Sequence, residues 1–271
     1  MCAEWGPFSQ PQVLPAPVTT AQPEWHAWIT ADGRALYFHV VYTDGGDLYV
    51  ARRSEPSEAF TAAQPVSELD TLDREANPSL SADQRIIVFD TQPAGMDMHL
   101  MIATRNDPSL PFDPATPLTV FDTAADELNA SLSTDGLELF FVRSSIDTLI
   151  HLATRNTVAE SFTTEITVPA TELVGYHTQH VSISPDGREL YVSSNRPGGA
   201  GNHDVYVLKR DGPGLPFGPL VHVPELSSIG DDSVDSLSAD GSTAYLAYNT
   251  NFAGNGDIHS AMRSCVAVPT R

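Results

Sequence analysis

Four carboxylates, two histidines and two amides recur at matched spacing in this chain of 271 residues. Glu24, Glu75, Glu127 and Asp232 each stand eight residues before an aspartate that opens a turn, and Thr178 takes that place in one further unit. His26, Asn77, Asn129 and His180 stand six residues before the same aspartates, with Val234 in the remaining unit. Asp73, Asp126 and Asp231 add charge nearby. Crowded carboxylates repel, so some must take up a proton, bind a cation or turn to water. Oxygen donors of this kind suit a hard divalent cation such as Ca²⁺. A mixed histidine and carboxylate set suits a transition metal. Which metal, if any, stays open. The same acids could instead accept bonds from backbone amides at strand starts, and the histidines could be channel-lining hydrogen-bonders. Trp25, Trp28, Tyr176, Tyr248 and Phe252 fall in or near the same segments. Aromatic faces beside acids and amides make a platform for a sugar, although Trp25 and Trp28 could equally pack a core or a rim. Two carboxylates about 5–10 Å apart could act as acid and base on a glycosidic bond. A catalytic set normally breaks a repeat, however, and the departures Thr178, Val234 and Trp28 supply neither nucleophile nor acid. No catalytic residue is assigned, and no nucleophile elbow is present.

The elements that position these residues repeat five times. The phrases ITADGRALYF (29–38), LSADQRIIVF (80–89), LSTDGLELFF (132–141), ISPDGRELYV (183–192) and LSADGSTAYL (237–246) carry Asp32, Asp83, Asp135, Asp186 and Asp240, in steps of 51, 52, 51 and 54 residues. Ser-x-Asp-Gly is turn chemistry, because Ser and Asp bond turn backbone and Gly takes positive φ. Five copies predict five identical turns rather than five sites. Each unit has four strand signals and no helical period. A period near 50 built only from strands is the signature of a propeller blade. The expectation is an all-β, five-bladed β-propeller with four antiparallel strands per blade, filling 1–271 as one domain. The blades fall at about 24–72, 75–124, 127–174, 178–228 and 232–265 plus 5–18.

A second regularity closes the ring. Arg53–Phe60, Arg105–Phe112, Arg155–Phe162 and Arg210–Phe217 are all seven apart. Arg263 lacks a following phenylalanine, but GPFSQPQVLPAP (6–17) matches PFGPLVHVPEL (216–226). The N-terminal segment therefore supplies the outer strand of the last blade, which removes exposed sheet edges. With Phe8 seven places beyond Arg263, Cys2 falls beside Cys265. These two cysteines are expected to form a disulfide, which needs an oxidising compartment. Two free thiols, or Cys2 as a lipid attachment site, are the alternatives, and whether Met1-Cys2 is a natural start stays open.

The formal net charge is -21, from 35 acidic and 14 basic residues. That opposes nucleic acid and anionic membrane surfaces, both of which need a positive patch. It fits cations, cationic partners, neutral ligands or simple solubility. No apolar run reaches the length of a membrane span.

The repeat resembles the PD40 or TolB-like family of WD40-like propeller repeats. The likeness is strongest at SISPDGRELYVSSNRPGGAGNHDVYVLKR (182–210), followed by Pro216-Phe217-Gly218-Pro219. Glu75, Asn77, Pro78, Ser79, Ser81 and Asp83 repeat the family phrase, with Gln84 in place of its glycine. Blade 3 has RSSID (143–147) where the family has a Gly-Gly hairpin, and blade 1 has Trp28 and Thr30 in place of two serines. The resemblance implies a fold more than an activity. It implies an extracytoplasmic bacterial setting, periplasmic, secreted or lipoprotein-derived. The expected role is a non-catalytic binding or scaffold propeller, monomeric, for a protein or glycan, with any ligand at the acidic channel mouth. The alternative is a glycoside hydrolase using carboxylates at that mouth.

Overall fold

The computed structural model describes residues 2, 4–42, 45–144, 148–248 and 256–266. Strand β1 (Gln12–Val13) precedes the first blade. Blade 1 holds β2 (Glu24–Ile29), β3 (Ala35–Val40), β4 (Asp47–Arg52) and β5 (Gln64–Pro65). Blade 2 holds β6 (Arg74–Leu80), β7 (Ile86–Gln92), β8 (His99–Thr104) and β9 (Thr116–Pro117). Blade 3 holds β10 (Asp126–Leu132), β11 (Glu138–Ser144), β12 (Leu149–Thr154) and β13 (Thr164–Thr167). Blade 4 holds β14 (Thr178–Ile183), β15 (Glu189–Ser194), β16 (Asp204–Lys209) and β17 (Leu220–His222). Blade 5 holds β18 (Asp232–Leu237), β19 (Thr243–Tyr248) and β20 (Ile258–Met262), and β1 completes it. All pairings within the blades are antiparallel. This is the expected five-bladed propeller, with the N-terminal strand closing the ring.

Each turn repeats one hydrogen-bond pattern. The hydroxyls of Thr30, Ser81, Ser133, Ser184 and Ser238 donate to the aspartate two residues on, at 2.6–2.7 Å. Each aspartate in turn accepts the backbone N–H two residues further, at 3.0–3.1 Å. Glycine supplies the left-handed residue in four turns, and Gln84 (φ 58°) does so in the other.

The seven-residue spacing has a physical cause. Each third-strand arginine donates Nε–H to the carbonyl of the turn's left-handed residue, at 2.6–2.8 Å. Its guanidinium lies over the ring of the phenylalanine that follows, at 4.1–4.7 Å. Arg263 lies over Phe8 at 4.8 Å and over Trp5 at 4.5 Å, so the N-terminal segment takes the vacant place. A Cys2–Cys265 disulfide staples the two ends, with Cα atoms 5.5 Å apart.

Apolar burial lies between blades. One core cluster joins blade 1 to blade 2 through Tyr37, Leu48, Ile87 and Phe89, and corresponding clusters fill the other four crevices. Because β3, β7, β11 and β15 are covered on both faces, their sequences read as apolar runs rather than alternating ones. Inner-strand serines add a polar staple. Ser79 accepts Leu132 N–H at 2.8 Å, Ser131 accepts Ile183 N–H at 3.0 Å, and Ser236 accepts Ile29 N–H at 3.0 Å. Ser182 donates to the Asp235 carbonyl at 3.0 Å. Trp28 stands at this place in blade 1 and packs on the blade 1–2 core instead.

Candidate functional site

The innermost strand of every blade is bulged where it passes the channel. Two residues interrupt the ladder in blades 1–3, at His26-Ala27, Asn77-Pro78 and Asn129-Ala130. One residue does so in blades 4 and 5, at Gln179 and Asp235. His26, Asn77 and Asn129 are left-handed, at φ 55°, 55° and 54°. Bulges re-aim side chains, and these three repeat positions are thereby turned from regular strand geometry.

The repeated acids have partners of their own. Glu24 is fully buried and accepts Thr20 N–H at 3.0 Å and the Thr20 hydroxyl. Glu75 accepts the Thr71 hydroxyl at 2.5 Å and the Thr71 N–H at 3.3 Å. Glu127 accepts the Thr123 hydroxyl at 2.5 Å and Arg143 Nε–H at 2.8 Å. Asp232 accepts the Ser228 hydroxyl at 2.9 Å and the Ser228 N–H. Each acid thus closes the loop that leads into its own strand. The signal was in the sequence as Thr/Ser-x-x-x-Glu/Asp: TAQPE (20–24), TLDRE (71–75), TAADE (123–127) and SIGDD (228–232). Burial raises the Glu24 carboxyl above its ordinary value against the Thr20 bonds, and Asp257 adds to the rise. Burial raises Glu75 similarly, with Asp47 and Asp70 contributing. Carboxylate oxygens of Asp47, Asp70 and Glu75 lie within 4.8 Å of one another, an oxygen set of the kind a hard cation takes.

The other expected residues gather elsewhere. A cavity of about 260 Å³ is lined by Trp25, His26, His39 and Val41 of blade 1, Arg74 of blade 2, Gln179, His180 and Ser193 of blade 4, and Asp231, Asp232, Ser233 and Ala247 of blade 5. His26 and His180 belong to blades that are not neighbours in the ring, yet their rings stack at 4.9 Å with planes 2° apart. His26 also stacks on His39 at 5.1 Å, with the two Nδ1 atoms 3.3 Å apart. The histidine stack therefore spans the channel. Asn77 and Asn129 do not line this cavity and meet at Asp90 instead: Asn77 Nδ2 donates to Asp90 at 2.6 Å, and Asn129 donates its backbone N–H to Asp90 at 3.3 Å. Glu24, Glu75, Glu127 and Tyr176 do not line this cavity. Tyr176 is exposed, 37% accessible, in the loop before β14. Phe252, Met1 and residues 145–147 of the blade 3 hairpin lie outside the described residues.

The electrostatics of this centre are unusual. Burial drives the His39 pKa down to about 3, with Arg74 adding to the effect. Burial lowers His180 to about 4, against a backbone bond at Val234. Burial and the neighbouring His180, His39 and Arg74 hold His26 well below its ordinary value. All three imidazoles are neutral at pH 7. Burial raises Asp90 to about 7 despite Arg74, Asn77 and the Asn129 N–H. Burial likewise raises Asp235 to about 7, against the Ser233 hydroxyl and the N–H groups of Ala27 and Ala247. His180 Nδ1, Asn77 Oδ1 and Asn129 Oδ1 are buried with no hydrogen-bond partner among the described residues. At the rim, Asp231 holds His203 Nδ1 at 2.6 Å, and His203 Nε2 meets His177 Nδ1 at 3.2 Å.

Sequence reasoning missed His39, Arg74, Asp90 and Asp235. Their signal is departure from the repeat. Seven residues after the turn aspartates stand His39, Asp90, Val142, Ser193 and Ala247; five before them stand Ala27, Pro78, Ala130, Val181 and Asp235. A polar residue inside an apolar strand run marks His39 and Asp90, whereas Asp235 stands in the polar strand DSVDSL and Arg74 opens its strand, where no such signal exists.

No family model matches the sequence, and no curated protein matches it. Solved structures do. The α-L-arabinofuranosidase PaAbf62A from Podospora anserina, in complex with cellotriose, aligns at a TM-score of 0.61 and 12% identity, over 97% of this chain and 97% of that one. The catalytic domain of the Coprinopsis cinerea GH62 α-L-arabinofuranosidase aligns at 0.59 and 12% identity, over 97% and 98%. TolB from Acinetobacter baumannii aligns at 0.52 and 14% identity, over 90% of this chain, which spans 55% of that one. At these identities the likeness is one of fold: a propeller shared with TolB and with glycoside hydrolases.

Proposed function

We propose that this chain is a non-catalytic, extracytoplasmic binding propeller of the PD40 or TolB-like kind, holding a small polar ligand in its axial cavity. One observation carries the reading. The cavity is walled from four blades largely by polar residues, and His180 in that wall has a buried Nδ1 with no partner among the described residues. A polar atom buried without a partner costs about 1–3 kcal/mol, a cost that a bound ligand removes. The disulfide supports the extracytoplasmic setting. A divalent cation such as Ca²⁺ is part of the same proposal, with Asp47, Asp70 and Glu75 as its donors.

The glycoside hydrolase reading rests on Asp90 and Asp235, whose pKa of about 7 suits a general acid. Neither lines the cavity. Asp90 is taken up by Asn77 and Asn129, and Asp235 by Ser233 at 2.9 Å and Ala27 N–H at 3.1 Å. Carboxyls engaged in this way are poorly placed to meet a glycosidic oxygen, which favours binding over turnover.

The test pairs thermal shift with product release. Chelated protein is screened against Ca²⁺ and against arabinoxylan and cello-oligosaccharides. A rise in melting temperature without sugar release supports the binding reading. Release of arabinose that disappears in Asp235→Asn would overturn it in favour of the hydrolase.

A further inference from the structure

The axial cavity is chemically polarised. On the blade 2 side stands Arg74, among the described residues the one lining side chain with a fixed positive charge. Among the described residues no hydrogen bond or ion pair engages its guanidinium, although it lies close enough to shift Asp90, His26 and His39. Asp90, protonated in part at neutral pH, offsets this charge only in part. The imidazoles beside Arg74 are neutral and add hydrogen-bond capacity without adding charge. Blade 5, which is not a neighbour of blade 2 in the ring, contributes Asp231 and Asp232 to the same cavity. Both acids already hold protein donors, His203 and Ser228, which fixes them as acceptors at that side.

We infer that the ligand is a small carboxylate, its anionic group on Arg74 and its hydrogen-bond donors toward Asp231 and Asp232. The inference rests on the binding role proposed above and names the ligand class for that same cavity. A guanidinium binds a carboxylate through two parallel N–H···O bonds, which neither lysine nor an imidazole reproduces. A volume of about 260 Å³ admits a ligand of about one sugar ring or one amino acid and excludes a long chain. The strongly negative surface disfavours anions in general, so a carboxylate held here is held by local geometry.

Isothermal titration of the full chain tests this with two matched pairs of probes. D-Glucuronate is set against D-glucose, and L-serine against L-serinamide. Binding of the acid in either pair, with its uncharged or amide partner at least about tenfold weaker, supports the inference and identifies the source as sugar acid or amino acid. Arg74→Gln is expected to weaken the bound acid by about tenfold to a hundredfold, the range for a hydrogen bond to a charged group. Arg74→Lys is expected to recover only part of the loss. Circular dichroism and melting of both variants check that they remain folded. Equal binding of acid and neutral partner, or binding unaffected by Arg74→Gln, overturns the carboxylate inference while leaving the binding cavity intact. No binding of any of the four probes also overturns it; if the oligosaccharides and Ca²⁺ fail as well, the binding reading falls with it.

Discussion

Asp90→Asn isolates the electrostatic strain at the channel. Burial holds the Asp90 pKa at about 7, whereas an unfolded aspartate titrates near 3.9. The shift is upward, so the folded state holds its proton more tightly than the unfolded state. The associated stability is complete below about pH 4 and is lost as pH rises toward about 7. About three pKa units at 1.36 kcal/mol each make the full effect about 4 kcal/mol. Asparagine fits the site. Its Oδ1 can accept the Asn129 N–H that Asp90 accepts at 3.3 Å, and its Nδ2 can donate to Asn77 Oδ1 after that amide turns over. Asn77 Oδ1 has no partner among the described residues, so the exchange moves the bond from Asn77 Nδ2 to Oδ1 and keeps the count of bonds unchanged. Urea unfolding followed by tryptophan fluorescence, across a pH series with the disulfide intact, gives the difference between variant and parent. The Asp90→Asn variant is expected to gain about 3 kcal/mol relative to the parent between about pH 5 and about pH 8. A difference that stays constant over that interval would refute the assignment of a perturbed carboxyl.

Three further outcomes follow from the frame. Reduction of Cys2–Cys265 reopens a loop of 263 residues and is expected to cost about 5 kcal/mol in the chain-entropy model, read as a lower melting temperature in dithiothreitol; an unchanged melting curve would count against the staple. Gln84→Gly is expected to raise stability by about 0.5–1 kcal/mol, since Gln84 holds the left-handed place that glycine fills in the other four turns, and a lower urea midpoint would contradict this. Thr71→Ala removes the hydroxyl donor from Glu75, a residue 1% exposed, and is expected to cost about 1–3 kcal/mol at pH 7 in the same urea assay.

The blades were legible because their causes are local. The hydroxyl residue and Asp of each turn bond within six residues, and the arginine reaches a turn and a phenylalanine of its own blade. Ring closure was legible because Phe8 completes that same local pattern for Arg263. The cavity was only half legible. His26, His180 and Asp232 were found by their repeat positions and Trp25 as an aromatic beside them, but repetition also drew attention to Glu24, Glu75 and Glu127, which close loops. The residues that make the centre distinctive are single departures in separate blades. Asp90 and Asp235 lie far apart in sequence, and only closure of the ring sets them about one channel.

Pairing of β1 with β20 also orders assembly in time. Gln12 sits opposite Ser260 and Val13 opposite His259. On the ribosome, β1 must wait for β20. Blades 1 to 4 are each contiguous in sequence and can zip as they emerge. The fifth cannot finish until β20 has been made, and until then β1 has no edge to pair with. The final step is therefore the docking of a tethered end into a preformed slot, a long-range closure whose loop entropy grows only slowly with length. A nascent chain arrested before β20 would already carry every residue that lines the cavity, Asp231, Asp232 and Ala247 included, but would lack the β1–β20 pairing that closes the ring around it.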